Sequence, residues 1–321
     1  MLFPSKHKSL FIALTIFASL AAAGSAHAQN FWQGTTTDIT APSNWSGGNV
    51  PAFGTSTATA GFITAGGTAN MIYTAAQGTT TFTDVGGYEG LAWISAYGGA
   101  QTTEVTGGTL NLNGLFGNDG GNESLWVANG PGVIGTLAIT GGSVSTGYGV
   151  LIGRDTSTGA LSISNGSFTA GAFSTAVGTY IGAPFSGGAG TATLTLDNGG
   201  QFTMTASVTD PFSFGTALAS TPNPGTTDYI DFTTGSTGKI TLNLSGATLG
   251  TSYFNDLVTN GYVEIGGTPD TTVGDYVINT TDPTAASLSL AGAVPEPSSF
   301  AAILLAVAAG AVCWRRRAVR A

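Results

Sequence analysis

The chain has 321 residues; 50 are glycine and only 8% are charged, yet 42% are hydrophobic and 10% aromatic, too many for a chain unable to build a core. Glycine for tight turns and threonine for pleated surfaces point to many short strands, an all-β protein. Residues 29–293 keep two cations, Arg154 and Lys239, against 16 of the 17 acids, so no nucleic-acid partner is expected.

At the N-terminus, Lys6, His7 and Lys8 precede an apolar run over 10–23, and Ala26-His27-Ala28 follows as a small-x-small site. This three-part order predicts a secretory signal over 1–28, cleaved after Ala28. The alternative is an uncleaved anchor, but the run is shorter than the roughly 20 residues a spanning helix needs.

Next comes an irregular repeat, assigned to 29–206. Gly108-Thr109-Leu110-Asn111-Leu112-Asn113-Gly114 resembles Gly135-Thr136-Leu137-Ala138-Ile139-Thr140-Gly141, Gly159-Ala160-Leu161-Ser162-Ile163-Ser164-Asn165 and Thr193-Leu194-Thr195-Leu196-Asp197-Asn198-Gly199. A weaker copy starts at Lys239-Ile240-Thr241-Leu242. Each alternates apolar and polar residues and closes on an Asn/Gly or Gly/Gly turn, the pattern of a short half-buried strand. An apolar residue returns after the turn at Val144, Phe168 and Phe202, and a second element precedes several copies, as in Leu125-Trp126-Val127, Val150-Leu151-Ile152 and Tyr180-Ile181. Taking Leu110, Leu137, Leu161 and Leu194 as equivalent, the spacings are 27, 24 and 33 residues. One coil of a solenoid with variable loops has this length, and stacked coils bury what a single coil cannot. The expected fold is therefore an irregular right-handed β-solenoid, parallel β-helix-like, with a C-terminal cap. A β-sandwich or jelly roll is the alternative.

Residues 207–293 are expected to hold a loop region, the last coils and the cap. Asp210-Pro211 and Pro222-Asn223-Pro224-Gly225 suggest a long loop or a break over 207–235. Tyr253-Phe254-Asn255-Asp256-Leu257-Val258 suits one or two helical turns ended by Gly261, which would blunt the last sheet edge.

The C-terminal stretch 294–321 has three parts. Pro295, Glu296 and Pro297 favour an extended, accessible segment. An uncharged run of 17 residues over 298–314 predicts a transmembrane helix at the short end of the spanning range. Trp314 suits the interface, and Arg315, Arg316 and Arg317, in a basic tail over 315–321, would hold that end in the cytoplasm. Cys313 reads as a small apolar helix residue or as a lipidation site.

Pro295-Glu296-Pro297, the apolar run and the arginine cluster together resemble the PEP-CTERM sorting signal of Gram-negative bacteria, a tail sometimes described as an ice-binding-protein C-terminal domain. The resemblance implies recognition by a membrane-embedded exosortase, cleavage near the motif, and release or attachment at a surface rich in exopolysaccharide. It covers fewer than a tenth of the residues. Phe31-Trp32 and Asn44-Trp45-Ser46-Gly47 are similar to the opening of autotransporter-like and PEP-CTERM extracellular β-proteins, where aromatics would cover the first coil.

The chemistry of the body is sparse. Cys313, His7 and His27 all lie outside 29–293, which removes disulfides, thiolate nucleophiles, imidazole bases and Cys/His zinc sites. Carboxylates alone leave glycoside chemistry, with Arg154-Asp155 or Asp228 with Asp231 as candidates. Asn118-Asp119-Gly120-Gly121-Asn122-Glu123 and Asp197-Asn198-Gly199-Gly200 offer oxygens to calcium but match no repeated calcium pattern, so turns are the plainer reading. Trp93, Tyr97 and Trp126 would stack on sugars if exposed and otherwise belong to the core. Thr57-Ala58-Thr59 and Thr191-Ala192-Thr193 raise ice binding, which needs a flat array.

These readings combine into an exported surface or extracellular-matrix structural and adhesive protein, not an enzyme, with no cofactor or metal expected. Its expected partners are an exosortase-like enzyme, the membrane at least transiently, and exopolysaccharide. The expected path starts at the inner membrane with the body outside the cytoplasm and ends at the cell surface or matrix. A carboxylate-only carbohydrate-active enzyme is the alternative, and ice binding a minor one.

Overall fold

A computed structural model describes residues 31–34, 36–45, 48, 50, 53–54, 63–64, 70–82, 92–94, 99–113, 123–172, 177–182, 190–205, 208, 210–215, 217–218, 227–243, 247–282 and 284–292. The segments expected as secretory signal, 1–28, and as transmembrane helix, 298–314, lie outside these residues. Among the described residues no helix is long and apolar enough to cross a membrane.

Strands alternate among three sheets as the chain proceeds. The first face runs from Phe31–Trp32 through Ile63–Thr64, Ala92–Ile94, Glu123–Asn129, Gly149–Arg154 and Val177–Ile181 to Asp210–Phe214 and Ala217–Leu218. The second runs from Met71–Tyr73 through Ala100–Val105, Ile134–Ile139, Thr158–Ser164, Thr191–Asp197 and Asp228–Phe232 to Val263–Ile265. The third holds Thr79–Phe82, Thr109–Leu112, Ser143–Thr146, Ser167–Ala170, Gln201–Met204 and Lys239–Asn243. Successive strands of each face pair in parallel, apart from the antiparallel Ala217–Leu218 at the end of the first face and the hairpin that closes the third. Parallel stacking of every third strand makes this a β-solenoid; the sandwich alternative would need antiparallel neighbours.

Period-two alternation explains the core. On the second face Leu137, Leu161, Leu194 and Ile230 stand opposite one another, and Ile139, Ile163, Leu196 and Phe232 form the next column. On the third, Val144, Phe168, Phe202 and Ile240 stack, with the Phe168 and Phe202 rings 5.7 Å apart at 16°. All these side chains are buried, each worth about 1.5–3 kcal/mol of transfer free energy. The first face differs. Leu125, Trp126, Val127, Val150, Leu151 and Ile152 are all buried, so its strands are covered on both sides and read as unbroken apolar runs.

The corner after the first face requires a left-handed backbone. Gly153, Gly182 and Gly215 occupy equivalent places there with φ of 68°, 75° and 60°, and Ala128 holds the same place at φ 66°. Glycine enters that region without steric cost, which accounts for three of the four residues.

Two expectations are corrected. The phrase around Leu110 belongs to the third face, where Leu110 pairs with Val144, whereas Leu137 pairs with Thr103 on the second. The copy at Lys239 is likewise a third-face strand, pairing with Gln201. Both faces bury alternate residues and follow tight turns, so strands of two kinds share one phrase. Nor does the array break over 207–235. Asp210–Phe214 pairs with Val177–Ile181, and Asp228–Phe232 with Thr191–Asp197, because Phe212, Phe214, Ile230 and Phe232 continue the buried columns. Pro211 is tolerated within its strand, the Asp210–Phe214 segment, beside the antiparallel terminal strand Ala217–Leu218.

The cap is larger than the one or two turns expected. Its helix spans Ala247–Thr259 and buries Tyr253, Phe254, Leu257 and Val258 on one side. The Tyr253 hydroxyl accepts from the Phe212 N–H (2.8 Å) and donates to the Phe212 carbonyl (3.2 Å), tying the helix to the last first-face coil. Gly261 ends it at φ 78°: its N–H donates to the Val258 carbonyl and that of Tyr262 to the Leu257 carbonyl, while Tyr262 and Leu257 are both fully buried. An antiparallel hairpin, Tyr276–Asn279 with Ala285–Leu290, then closes the third face against Lys239–Asn243. At the opposite end, Trp32 meets Trp45 edge-on at 5.3 Å, and Phe53 bridges Trp45 to Tyr73.

Candidate functional surface

The outer side of the third face is built from the residues that alternate with its core. One row is Thr79, Thr109, Ser143, Ser167, Gln201 and Lys239; the next is Thr81, Asn111, Ser145, Thr169, Thr203 and Thr241. Parallel pairing sets them on a grid of about 4.8 Å between strands and about 6.6 Å along each strand. Within the grid Asn111 Nδ2 donates to Thr81 Oγ1 (3.0 Å), Ser145 Oγ to Asn111 Oδ1 (2.7 Å) and Ser143 Oγ to Thr109 Oγ1 (3.1 Å). Apart from Lys239 it is a wall of uncharged hydroxyls and amides, partly open to solvent.

The second face places carboxylates outward instead. Glu104 and Asp231 lie in its outer row, and Asp231 stands opposite Glu264. Burial, and then the nearby Asp231 charge, push the Glu264 carboxyl above the usual range. The Asp197 carboxylate accepts from the adjacent Asn198 N–H (2.8 Å) and, across to the next coil, from Thr233 Oγ1 (2.6 Å), so it is used within the stack.

The two carboxylates of the proposed pair on Asp228–Phe232 diverge. Asp228 points inward and is 1% exposed, whereas Asp231, three residues on, points outward. Opposite faces of one strand cannot converge on a glycosidic bond. The Asp228 carboxylate accepts from the Ala192 N–H at 2.9 Å, and burial pushes its pKa up to about 7 against that stabilising hydrogen bond. Arg154 and Asp155 meet at 3.8 Å, and the Arg154 guanidinium lies 4.4 Å from the centre of the Trp126 ring. Trp126 is 2% exposed, the core position rather than a sugar platform.

Other sequence candidates are only partly placed. Trp93 is described only as a backbone paired with Trp126. Tyr97, Thr57-Ala58-Thr59, and Asn118 to residue 122 of the first calcium candidate lie outside the described residues, while Glu123 is buried. So do Ala26, Ala28, Pro295, Glu296, Pro297, Trp314, Arg315, Arg316 and Arg317. Among the described residues no three His, Cys, Asp or Glu side chains are grouped to hold a metal ion. Sequence reading missed the third-face grid, although its outward Thr/Ser alternation was the available signal.

Fold and surface together define a β-solenoid protein with one polar, nearly uncharged face. Residues 293–317 match the family model of the PEP-CTERM protein-sorting motif, so the solenoid is the cargo of an exported protein sorted by exosortase-type machinery, with a membrane-passing step. No curated protein and no solved structure matches the chain.

Proposed function

We propose that the protein is a structural and adhesive component of the cell surface or extracellular matrix that associates with exopolysaccharide, and that it is not an enzyme. The observation that carries this reading is the third-face grid: a long run of hydroxyl and amide groups offers donors and acceptors to a sugar chain. The net negative body repels acidic polymers, which favours a neutral polysaccharide. The divergence of Asp228 and Asp231 supports the non-enzymatic reading over a carboxylate-only hydrolase. Its path would begin at the inner membrane, with the body outside the cytoplasm, and end beyond it after tail removal.

The experiment is cosedimentation of the purified body with neutral and acidic polysaccharides, run beside a reducing-sugar release assay. Binding to a neutral polymer that falls when Thr169 and Thr203 are both changed to Glu supports the proposal. Sugar release abolished by one Asp or Glu substitution would overturn it. The same grid also favours ice binding as a second reading, but Gln201 and Lys239 interrupt its threonine rows; thermal hysteresis would reveal that activity.

A further inference from the structure

The sorting motif leaves the fold at one defined place. The strand Ala285–Leu290 is held on both sides, by Lys239–Asn243 and by Tyr276–Asn279. Immediately after it, the Ala291 N–H donates to the Asp275 carbonyl at 2.8 Å. The motif match begins at residue 293, and Pro295 is the fourth residue beyond Ala291. At about 3.3–3.6 Å per residue, Pro295 lies within about 14 Å of Ala291 whatever path the chain takes. That reach is about half the diameter of a small domain, roughly 30 Å. An enzyme that grips Pro295-Glu296-Pro297 therefore has no room to clear the cap.

From the sorting reading and this spacing, we infer that the cap around Asp275 and Val277 is a docking surface for the membrane-embedded processing enzyme. Asp275 is exposed where the tail departs, and Val277, opposite Ser289 on the edge strand, is 49% exposed. Between Lys239 and the tail the chain carries Asp256, Glu264, Asp270, Asp275 and Asp282 and no Lys or Arg. Anionic lipid headgroups repel such a surface, whereas a basic protein surface with an apolar patch complements it. The partner face is accordingly the enzyme rather than the lipid, in a small transient contact.

The test follows tail removal of the full chain, by pulse-chase, in cells that carry the processing enzyme. Asp275→Lys and Val277→Asp are each made with the native spacer and with a flexible Gly/Ser insertion of about 20 residues after Gly292. With the native spacer, each substitution slows processing by about five- to tenfold. With the insertion, each variant is processed at the rate of the wild-type body carrying that insertion, which also shows that the variant bodies are exported; thermal unfolding of the purified variants at the wild-type temperature shows that they are folded. Glu104→Lys, far from the exit, leaves the rate unchanged. Wild-type rates for both cap variants, equal slowing with either spacer, or faster processing of Asp275→Lys through attraction to lipid would each overturn the inference. Normal processing after Glu296→Ala would instead sink the sorting reading itself.

Discussion

The Asp228 carboxylate accepts the backbone N–H of Ala192 at 2.9 Å, in a column where the preceding coils carry Gly135, Gly159 and Ala192 itself. A carboxylate thus occupies a place that the three preceding coils fill with almost nothing, although Gln101 stands in the same column one coil earlier, and its far side lies against Gly182. Two predictions follow from that contact.

Stability should fall as pH rises through the range where Asp228 loses its proton in the fold. The folded pKa, about 7, is above the ordinary carboxylate value, so the folded state binds the proton more tightly than the unfolded chain. The stabilisation is complete below about pH 4, declines between about pH 4 and 7, and is absent above. Asp228→Asn should match wild type near pH 4 and exceed it by on the order of 4 kcal/mol at pH 8. Denaturant unfolding of both proteins across that range measures the difference, which also separates Asp228 from Glu264 and Asp210, whose carboxyls burial raises in the same direction.

Gly182→Ala should be strongly destabilising. The backbone there has φ 75°, and an added Cβ would fall on the Asp228 carboxylate. Left-handed strain and the clash together should cost about 2–4 kcal/mol. Pairing it with Asp228→Gly should recover the part due to the clash and leave the backbone part, a coupling that a double-mutant cycle reads directly.

Inner and outer residues of one third-face strand should behave oppositely. Phe202 is fully buried between Phe168 and Phe212, and Phe202→Ala should cost about 3–5 kcal/mol. Thr203, its outward neighbour, should tolerate valine within about 0.5 kcal/mol. Comparable losses from the two substitutions would mean that Thr203 is not on a solvent-facing grid.

The cap is tied to the array through Tyr253. Tyr253→Phe removes a hydroxyl that is both donor and acceptor to Phe212 and leaves that backbone N–H buried without its partner. A loss of about 1–3 kcal/mol is expected. Hydrogen exchange should localise it to Asp210–Phe214 and the helix Ala247–Thr259.

Legibility differed between levels. The alternation around Leu137, Leu161 and Leu194 revealed strands, turns and stacking, because burial of every second residue leaves its mark on composition alone. The same alternation hid which face a strand belongs to. Leu110 and Leu137 follow the same turn-and-strand grammar, and only pairing shows that Leu110 stacks with Val144 and Leu137 with Thr103. Proline and polar residues over 207–235 resembled a break, but Phe212 and Ile230 continue the core regardless. Asp228 and Asp231 looked like neighbours on a chain; three residues along a strand set them on opposite sides.

By itself, then, the order of residues determined the all-β, repeating character of the body, its cation-poor and cysteine-free chemistry, and the sorting tail that the family match identifies at 293–317. Those properties are local or compositional, and a linear chain displays them directly. The tertiary structure alone decided that Asp228 is buried, that Thr and Ser side chains from distant turns form one grid, and that the tail departs beside Asp275. Each depends on register between coils, and register is set by which side chains fit one another across the stack.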